Sequence, residues 1–211
     1  MLDSNTLTDA VLQRAAKLSS ATVHEAAEKA GALPSVLKPI AAHASLAGRA
    51  FPVSCPPGDN LWLHRAIYAA APGDVLVVDV GSGSEYGYWG EVMALAAQTR
   101  GIAGLVITGG VRDSVRLAEM GFPVFSKSIC IRGTGKNPEA SGTLGEPVTI
   151  GEVLIRKGDL VLGDADGLVV IARNQAARVI AAAEARDEAE RSIFVEIRSG
   201  RSTIDIYNLP T

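Results

Sequence analysis

An Arg-Asp pair follows a buried-strand pattern in the segment GLVITGGVRDS at residues 104–114. The two adjacent glycines allow a tight turn after the strand, which places Arg112 and Asp113 at its carboxyl end, where open α/β sheets bind ligands. A lone carboxylate suits Mg²⁺ or Mn²⁺ with water as the remaining ligands, and a guanidinium forks onto a carboxylate or enolate oxygen. The same residues also fit an internal ion pair that caps the following helix, so the segment alone leaves both interpretations open.

Gly90 precedes a helix predicted at residues 91–100, and the start of that helix is a second candidate site. The first amides of a helix have no intrahelical partner, so they bind a small carboxylate without the help of a lysine. The amides expected to converge on one spot are those of Glu91, Val92, Met93 and Ala94. An ordinary helix start with an exposed acid is the alternative.

A third segment, VDVGSGS at residues 78–84, resembles the first motif of S-adenosylmethionine-dependent methyltransferases and, loosely, a dinucleotide-binding fingerprint. The third glycine of GxGxxG would fall at Tyr86, and no helix is predicted directly after Gly83. Both kinds of site are therefore disfavoured.

The turn GDADG at residues 163–167 joins two apolar runs. Asp164 and Asp166 suggest calcium ligands, but the loop has neither the length of an EF-hand nor its terminal Glu. A tight Asp-Gly hairpin turn is the favoured interpretation.

The histidines give a weaker signal. His24, His43 and His64 have no HxxxH or HExxH spacing, so no zinc site is expected. Only His64, which follows PPGDN, is a candidate for lining a cavity, and Asp59 and Asn60 could shape the same end of a bound substrate.

A long charged helix is predicted at residues 174–199, with Glu184, Glu188 and Arg191 at helical spacing. Such a stripe is usually a solvated face with local ion pairs, although an arm of this length can also carry an acid to a neighbouring subunit. Lys127 lacks the acid–base partner expected of a Schiff-base lysine, so a solvated side chain is predicted.

Composition excludes several classes of protein. The 211 residues suffice for one domain with a core, and a formal charge of −3 gives no basic field for binding nucleic acid. Two cysteines without CxxC spacing predict no disulfide framework and a reducing, cytoplasmic setting. We expect neither export nor membrane insertion, because a signal region and a long apolar run are both missing.

Alternating strand and helix patterns predict a single α/β domain over residues 1–211, with helices at both ends. The predicted parts are N-terminal helices at about 7–31, a core at about 45–172 and a C-terminal helical arm at about 174–199. Core strands are predicted at 45–55, 74–80, 105–108 and 123–126, helices at 60–70, 91–100 and 114–120, and hairpins within 143–155 and 160–171. A capping box at residues 22–25 and Gly31 are expected to bound a helix. The apolar tail at 201–211 is expected to pack on a neighbour.

Four motifs in the same order resemble a known family. They are GDNLWLHRAIYAAAPGDVLVVD, GYWGEVMALAAQTRGIAGLVITGGVRDS, GFPVFSK and GDADGLVVI. The chain, from about residue 22 to 207, resembles the 4-hydroxy-4-methyl-2-oxoglutarate / 4-carboxy-4-hydroxy-2-oxoadipate aldolases, which share a fold with the regulator of ribonuclease activity A. The resemblance implies a three-layer β/β/α swivelling-domain fold, assembled as a homotrimer or a dimer of trimers.

The activity implied by the resemblance is that of a class II pyruvate aldolase that needs Mg²⁺ or Mn²⁺ and also decarboxylates oxaloacetate. Asp113 would hold the metal, Arg112 would contact the 2-oxo acid and its enolate, and Glu91, where many members have Asp, would orient a metal-bound water. A glutamate from the C-terminal helix of an adjacent subunit completes the family's site, and Glu188 fits this role better than Glu184. The implied substrate-binding residues are Gly90, Glu91, Val92, Met93, Ala94, Leu95 and Arg112, and the implied catalytic residues are Glu91, Arg112, Asp113 and Glu188.

A non-catalytic binding protein, like the ribonuclease regulator of the same fold, is the rival interpretation, because kinship of fold does not settle function. The runs GDNLWLH and GEVMALAAQ favour the aldolase branch. The sequence supports a methyltransferase even less, since Glu85 and Tyr86 occupy the glycine-rich loop.

Overall fold

The computed structural model describes residues 7–210. Its helices are α1 (Asp9–Ala15), α2 (Ser20–Ala26), α3 (Leu61–Ala69), α4 (Glu91–Thr99), α5 (Ser114–Glu119), α6 (Ala176–Arg198) and α7 (Thr203–Tyr207). Its strands are β1 (Lys38–Pro39), β2 (Leu46–Ser54), β3 (Asp74–Asp79), β4 (Gly87–Trp89), β5 (Gly104–Val111), β6 (Val124–Ile129), β7 (Thr143–Leu144), β8 (Val148–Ile150), β9 (Val153–Ile155), β10 (Leu160–Gly163) and β11 (Leu168–Ile171).

A mixed sheet in the order β1-β6-β5-β3-β2-β10-β11 forms the centre of the fold. Strands β2, β3, β5 and β6 run parallel, and β10 pairs antiparallel with both β2 and β11. The short strands β4 and β7 lie outside this order and pair with the carboxyl-terminal ends of β5 and β2 respectively. The carboxyl ends of the parallel strands therefore lie together at one edge of the sheet.

Alternate residues of the parallel strands point to opposite faces, and each face has its own core. Leu76 and Val78 of β3 pack with the apolar sides of α3, α4 and α5. Val75 and Val77 instead pack under the β8–β9 hairpin, with Val148, Ile150 and Ile155. Hairpin, sheet and helices thus form the β/β/α layers that the family resemblance implied.

A third core joins the two ends of the chain. Helices α1 and α2 pack with the first half of α6 against β10 and β11, through residues such as Val23, Val169 and Ile180. The buried residues of α6 end at Ala183, and its second half is exposed. Within residues 7–210 no helix is long and apolar enough to cross a membrane.

The predicted boundaries of the second helix were wrong. Helix α2 begins at Ser20, because the Ser19 hydroxyl accepts a hydrogen bond from the amide of Thr22 at 3.0 Å, so Ser19 rather than Thr22 is the cap. The helix ends at Ala26, since Glu28 and Lys29 take up left-handed backbone conformations.

The predicted turn at Gly109 and Gly110 was also wrong, since β5 continues through both glycines to Val111. Their role is to let β4 lie against β5. A Cβ on Gly109 would meet the ring of Tyr88 at 2.8 Å, and one on Gly110 would meet the carbonyl oxygen of Tyr86 at 2.8 Å. Strand β4 itself lies where a loop was predicted, and its Tyr88 and Trp89 are fully buried.

Other sequence predictions are confirmed. The long helix, the four core strands and the three core helices lie where expected, within a few residues. The hairpin of β10 and β11 pairs Gly163 with Leu168 across the GDADG turn, and Cys55 and Cys130 are free thiols. The tail forms the short helix α7, and its packing on a neighbour stays a prediction.

Candidate functional site

The chain turns sharply after β5, at Arg112 and Asp113. Asp113 has a left-handed backbone (φ 57°) at the start of α5, yet its carboxylate makes no capping bond to that helix. Its Oδ2 accepts a hydrogen bond from the amide of Glu91 at 3.0 Å and lies 4.0 Å from Nε of Arg112. The predicted alternative, in which Asp113 caps α5, is therefore not formed. The Asp113 carboxylate instead connects the start of α5 to the start of α4 through its hydrogen bond with Glu91.

The close approach of the Arg112–Asp113 turn to the start of α4 requires a glycine at position 90. Gly90 has an extended backbone (φ −155°) that any residue could adopt, so its conformation is not the reason. A Cβ there would lie 2.3 Å from Oδ2 of Asp113 and 3.2 Å from Cγ of Arg112. Gly90 thus makes the space in which the Asp113 carboxylate reaches α4.

The amides open to a ligand at the start of α4 are fewer than predicted. The amide of Glu91 is bound by Asp113, and the amide of Ala94 donates to the carbonyl oxygen of Gly90 at 3.0 Å. Leu95 is the fifth residue of the helix, where amides bond within the helix. Within the described chain, the amides of Val92 and Met93 are the ones left open, so the amide roles predicted for Glu91, Ala94 and Leu95 do not fit.

A cavity of about 190 Å³ lies against these groups. Its lining combines the Arg112–Asp113 segment and the start of α4 with residues from 60–64 and one lysine. The lining residues are Asn60, His64, Tyr88, Gly90, Val92, Met93, Arg112, Asp113 and Lys136. The structure therefore brings Arg112 and Asp113 together with Gly90, Val92 and Met93, and it adds His64 and Asn60 as expected. The cavity lining does not include Glu91, Ala94 and Leu95, which were predicted for the same site, or Asp59, which was expected beside Asn60.

Sequence reasoning missed Lys136. The lysine lies in an irregular segment that is held by residues 58–60 through three hydrogen bonds. Gly135 donates its amide to Gly58 at 2.7 Å and accepts from Asn60 at 3.1 Å, and the Asp59 carboxylate accepts from the amide of Asn137 at 2.5 Å. No local motif marks such a position, because partners almost eighty residues away define it.

The inner wall of the cavity is held by Tyr88. Its hydroxyl accepts from the amide of Gly58 at 2.7 Å and donates to the carbonyl oxygen of Gly83 at 2.7 Å. Burial raises the pKa of this phenol, so it remains protonated at neutral pH. Burial and the nearby Lys136 lower the pKa of His64, so its imidazole is neutral there as well. Neither ring supplies a charge to the cavity at neutral pH.

Asn60 carries a buried acceptor without a donor. Its Nδ2 donates to the carbonyl oxygen of Tyr88 at 2.8 Å, which fixes the orientation of the amide. Its Oδ1 is buried and has no hydrogen-bond partner among the described residues.

The donors for a metal ion are sparse. The described residues contain no group of three or more His, Cys, Asp or Glu side chains that could enclose an ion. A half-exposed carboxylate at Asp113 remains, and its Oδ1 accepts no hydrogen bond from the described residues. This donor set fits Mg²⁺ or Mn²⁺, which keep several waters and bind through one or two carboxylates.

Glu188 and Glu184 do not line the cavity of their own chain. Glu184 forms a two-pronged ion pair with Arg14, with Nε to Oε1 at 2.8 Å, and this hydrogen bond lowers the pKa of Glu184. Glu188 is exposed and lies 3.0 Å from Nη1 of Arg191. Glu184 is thus engaged within its chain, whereas a role for Glu188 in a neighbouring subunit stays a prediction.

The other motifs are structural. After VDVGSGS the chain enters β4 rather than a helix, so neither a methyltransferase nor a dinucleotide motif is formed. Asp164 accepts hydrogen bonds from the amide of Ser20 at 2.7 Å, from its hydroxyl at 2.6 Å and from the amide of Asp166 at 3.0 Å. Lys127 is exposed and lines a separate cavity beside Ile150.

The sequence of the chain is similar to those of known proteins. A family model described as RraA-like, Aldolase/RraA, matches residues 6–170. A Halalkalibacterium halodurans protein named "Putative 4-hydroxy-4-methyl-2-oxoglutarate aldolase" is 36% identical over 177 residues, covering 82% of this chain and 83% of that protein.

Solved structures agree on the fold. An uncharacterized protein from Pseudomonas syringae superimposes with a TM-score of 0.83 and 26% identity, over 96% of this chain and 94% of that chain. The RNA-processing inhibitor RraA from Thermus thermophilis does so with a TM-score of 0.66 and 27% identity, over 73% of this chain and 92% of that chain. With the family model matching most of its length, the chain belongs to the RraA-like family, Aldolase/RraA.

Proposed function

We propose that the protein is a divalent-metal-dependent lyase that cleaves a 4-hydroxy-2-oxo acid into pyruvate and a second oxo acid. The observation that carries this proposal is the cavity in which Arg112, Asp113 and the open amides of Val92 and Met93 converge. The name of the Halalkalibacterium halodurans relative supports 4-hydroxy-4-methyl-2-oxoglutarate as a substrate, and 4-carboxy-4-hydroxy-2-oxoadipate has the same reacting carbons.

The start of α4 binds the pyruvyl end of the substrate. The amides of Val92 and Met93 donate to its carboxylate, which the positive end of the helix dipole also attracts. The guanidinium of Arg112 donates to the 2-oxo oxygen. Because Asp113 binds the amide of Glu91, the helix start and the arginine are held in one fixed arrangement.

Cleavage requires a place for negative charge. The bond between C3 and C4 breaks, its electron pair becomes the C2–C3 double bond of a pyruvate enolate, and the 4-hydroxyl loses its proton as C4 becomes a carbonyl. A proton added to C3 then gives pyruvate. Arg112 stabilises the charge that develops on the former 2-oxo oxygen, which is a large effect in a site with fixed donors.

Asp113 would hold Mg²⁺ or Mn²⁺, and when bound the ion supplies a Lewis acid for the 2-oxo group. The carboxylate of Glu91 is half exposed and lies 3.9 Å from Nε of Arg116, and Glu91 adjoins the cavity-lining residues Gly90 and Val92 without lining the cavity itself. We assign to Glu91 the orientation of the water that carries the hydroxyl proton away. Its side chain is one methylene longer than the Asp of many relatives, so a water that it orients would lie further from the backbone.

Decarboxylation of oxaloacetate follows from the same site. Loss of CO₂ from C4 leaves the same pyruvate enolate, and Arg112 stabilises it in the same way. No proton has to leave a hydroxyl in this reaction, so oxaloacetate reports on the pyruvyl half of the site alone.

We further propose a homo-oligomer, a trimer or a dimer of trimers, in which Glu188 of one subunit completes the site of the next. The exposed second half of α6 and the helix α7 support this proposal, because Phe194, Val195 and Tyr207 are apolar and about half exposed or more. Exposed apolar residues at this end of the chain are what an interface with another subunit would cover.

The direct test is release of pyruvate from 4-hydroxy-4-methyl-2-oxoglutarate, 4-carboxy-4-hydroxy-2-oxoadipate and oxaloacetate, with Mg²⁺, with Mn²⁺ and with EDTA. We expect turnover that EDTA abolishes and that added metal restores. Absence of metal-dependent turnover on all three and on other 4-hydroxy-2-oxo acids would refute the lyase.

A subunit-mixing experiment tests Glu188. We expect Glu188→Ala and Asp113→Ala proteins to be inactive alone and to regain part of the activity after mixing, because some sites then pair an intact Asp113 with an intact Glu188. Glu184→Ala is the matched control and should remain active alone. Absence of recovery in assemblies shown to contain both subunits would exclude Glu188 as the shared acid.

The second candidate function is non-catalytic binding to another protein, which the similarity to an RNA-processing inhibitor favours. A binding protein has no need of an open carboxylate beside two open amides. It would show no turnover in the assay above, and Asp113→Asn would leave its binding unchanged.

A further inference from the structure

The chain between β6 and β7 is irregular, and we call its residues 133–142 the strap. The strap contributes Lys136 to the lining of the cavity, and none of its residues is buried. A segment without buried side chains opens at a lower free energy than the strands and helices of a core. Hydrogen bonds must therefore hold the strap in its place beside the cavity.

Four hydrogen bonds join the strap to residues 58–62, at the start of α3. Gly135 makes two of them through its backbone, at 2.7 and 3.1 Å to residues 58–60. Near the other end of the strap, Nε1 of Trp62 donates to the carbonyl oxygen of Ala140 at 2.9 Å. Both ends of the strap are thus attached to one short stretch of chain.

The fourth hydrogen bond is made by a buried carboxylate. Asp59 is 5% exposed, and its Oδ2 accepts a hydrogen bond from the amide of Asn137 at 2.5 Å. Its Oδ1 accepts from the amide of Leu61, in the first turn of α3, at 2.9 Å. A hydrogen bond to a carboxylate is roughly twice as strong as one between neutral groups. Asp59 is therefore the strongest single attachment of the strap to the rest of the protein.

We propose that Asp59 is a positioning residue whose carboxylate latches the strap, and that loss of this hydrogen bond lets the strap open and move Lys136 out of the cavity wall. Asp59 does not line the cavity itself, so any effect it has on a bound ligand passes through the strap. The latch stands on the contacts above, whereas its effect on catalysis rests on the proposed lyase function.

An open strap weakens substrate binding more than it slows the reaction. Opening removes one wall of the cavity together with the positive charge of Lys136, and 2-oxo acids are anions. Substrate therefore binds the closed form better and, once bound, favours closure. A protein that is closed for only a fraction of the time loses apparent affinity in proportion to that fraction.

Amide hydrogen exchange of the folded protein tests the latch without any substrate. Asp59→Asn keeps the size of the side chain but leaves one acceptor oxygen for two amides. We expect exchange at Gly135 and its neighbours in the strap to accelerate by about 10- to 150-fold, the range for a hydrogen bond to a charged group, while the amides of β3 and β5 keep their rates. Unchanged exchange in the strap, or an equal acceleration in β3 and β5, would overturn the latch.

Trp62→Phe tests the second attachment and leaves Asp59 in place. The phenyl ring fills part of the same space but cannot donate to Ala140, so we expect exchange in the strap to accelerate by about 2- to 10-fold, as for a hydrogen bond between neutral groups. Wild-type exchange in both variants would overturn the strap as a segment that opens separately from the fold.

Asp164→Asn is the matched control, because it alters a carboxylate that also accepts amide hydrogen bonds but lies outside the strap. It should leave exchange in the strap unchanged, since the strap opens locally. Acceleration equal to that of Asp59→Asn would mean that the strap follows the stability of the whole protein, and would contradict a local latch.

Steady-state kinetics with oxaloacetate test the effect of the latch on the site. For Asp59→Asn we expect KM to rise by about 2- to 10-fold and kcat to change by less than about 2-fold, since saturating substrate closes the strap again. A fall in kcat with an unchanged KM would overturn the positioning role. A wild-type protein without turnover would overturn the lyase function, and the exchange rates would still decide the latch.

Discussion

Two aspartate turns follow strands of this sheet and differ in what their carboxylates do. Asp164, in the turn between β10 and β11, receives three hydrogen bonds, two from Ser20 and one from Asp166. Asp113, after β5, receives one from Glu91 and leaves Oδ1 open beside a cavity. The first carboxylate ties the N-terminal helices to the sheet, whereas the second has the unused oxygen that a metal ion requires.

The comparison shows that residue type alone does not distinguish a site from a structural turn. Both segments combine glycine and aspartate after an apolar strand. The two turns differ in how many acceptor positions of the carboxylate are occupied by hydrogen bonds within the protein. If this difference determines the role of each turn, substitutions at the two aspartates should separate activity from stability.

Asp113→Asn should cause the largest effect. We expect the turnover of 4-hydroxy-4-methyl-2-oxoglutarate to fall by at least about 10²–10³-fold, because a neutral amide replaces the carboxylate that would hold the metal, while the midpoint of unfolding changes little. Steady-state kinetics and thermal unfolding measure the two quantities. Activity near the wild-type level would mean that the metal is held elsewhere.

Gly90→Ala should come next. The new Cβ would overlap Oδ2 of Asp113, so we expect the carboxylate or the start of α4 to shift and kcat/KM to fall by about 10²-fold, as for other displacements of about 1 Å at a reacting centre. Gly133→Ala is a suitable control, since a Cβ there meets no atom within 4 Å. If both variants have wild-type kinetics, the two turns do not need this close approach.

Asp164→Asn should cost stability rather than activity. We expect the free energy of unfolding to fall by about 1–3 kcal/mol at neutral pH, since the amide group cannot accept the same set of hydrogen bonds. Activity per folded molecule should be retained. A variant that is fully stable and inactive would reverse the roles of the two turns.

The hydrogen bonds of Asp164 also predict how the stability of the protein depends on pH. Burial alone would raise the pKa of Asp164, but the hydrogen bonds from Ser20 and Asp166 hold it below its usual value of 3.8. Stability from a lowered pKa is fully present above 3.8 and is lost as the pH falls through the folded pKa. The stability difference between wild type and Asp164→Asn should therefore shrink in acid, as denaturant titrations would measure.

Regular elements of the fold could be predicted from the sequence, because their signals are local. The glycine before the apolar period of residues 91–99 gave the start of α4, and the β-branched run of residues 74–79 gave β3. Strand β4 was missed because it is only three residues long, begins with Gly87 and is followed by Gly90. Its identity depends on Tyr88 and Trp89 being buried against β5, which is a tertiary effect.

The site was predictable only in part for the same reason. Arg112, Asp113 and Gly90 follow strand and helix ends, so their positions could be inferred. Lys136 and the buried oxygen of Asn60 depend on contacts between residues 58–60 and 135–137, which no spacing reveals.

Binding of Mn²⁺, followed by the loss of its free electron paramagnetic resonance signal on titration with protein, tests the central claim most directly. We predict that the wild type and Asp164→Asn bind one ion per chain and that Asp113→Asn, folded to the same extent, binds none in the same range. Equal binding by wild type and Asp113→Asn would contradict the assignment of the open carboxylate at Asp113 as the metal ligand.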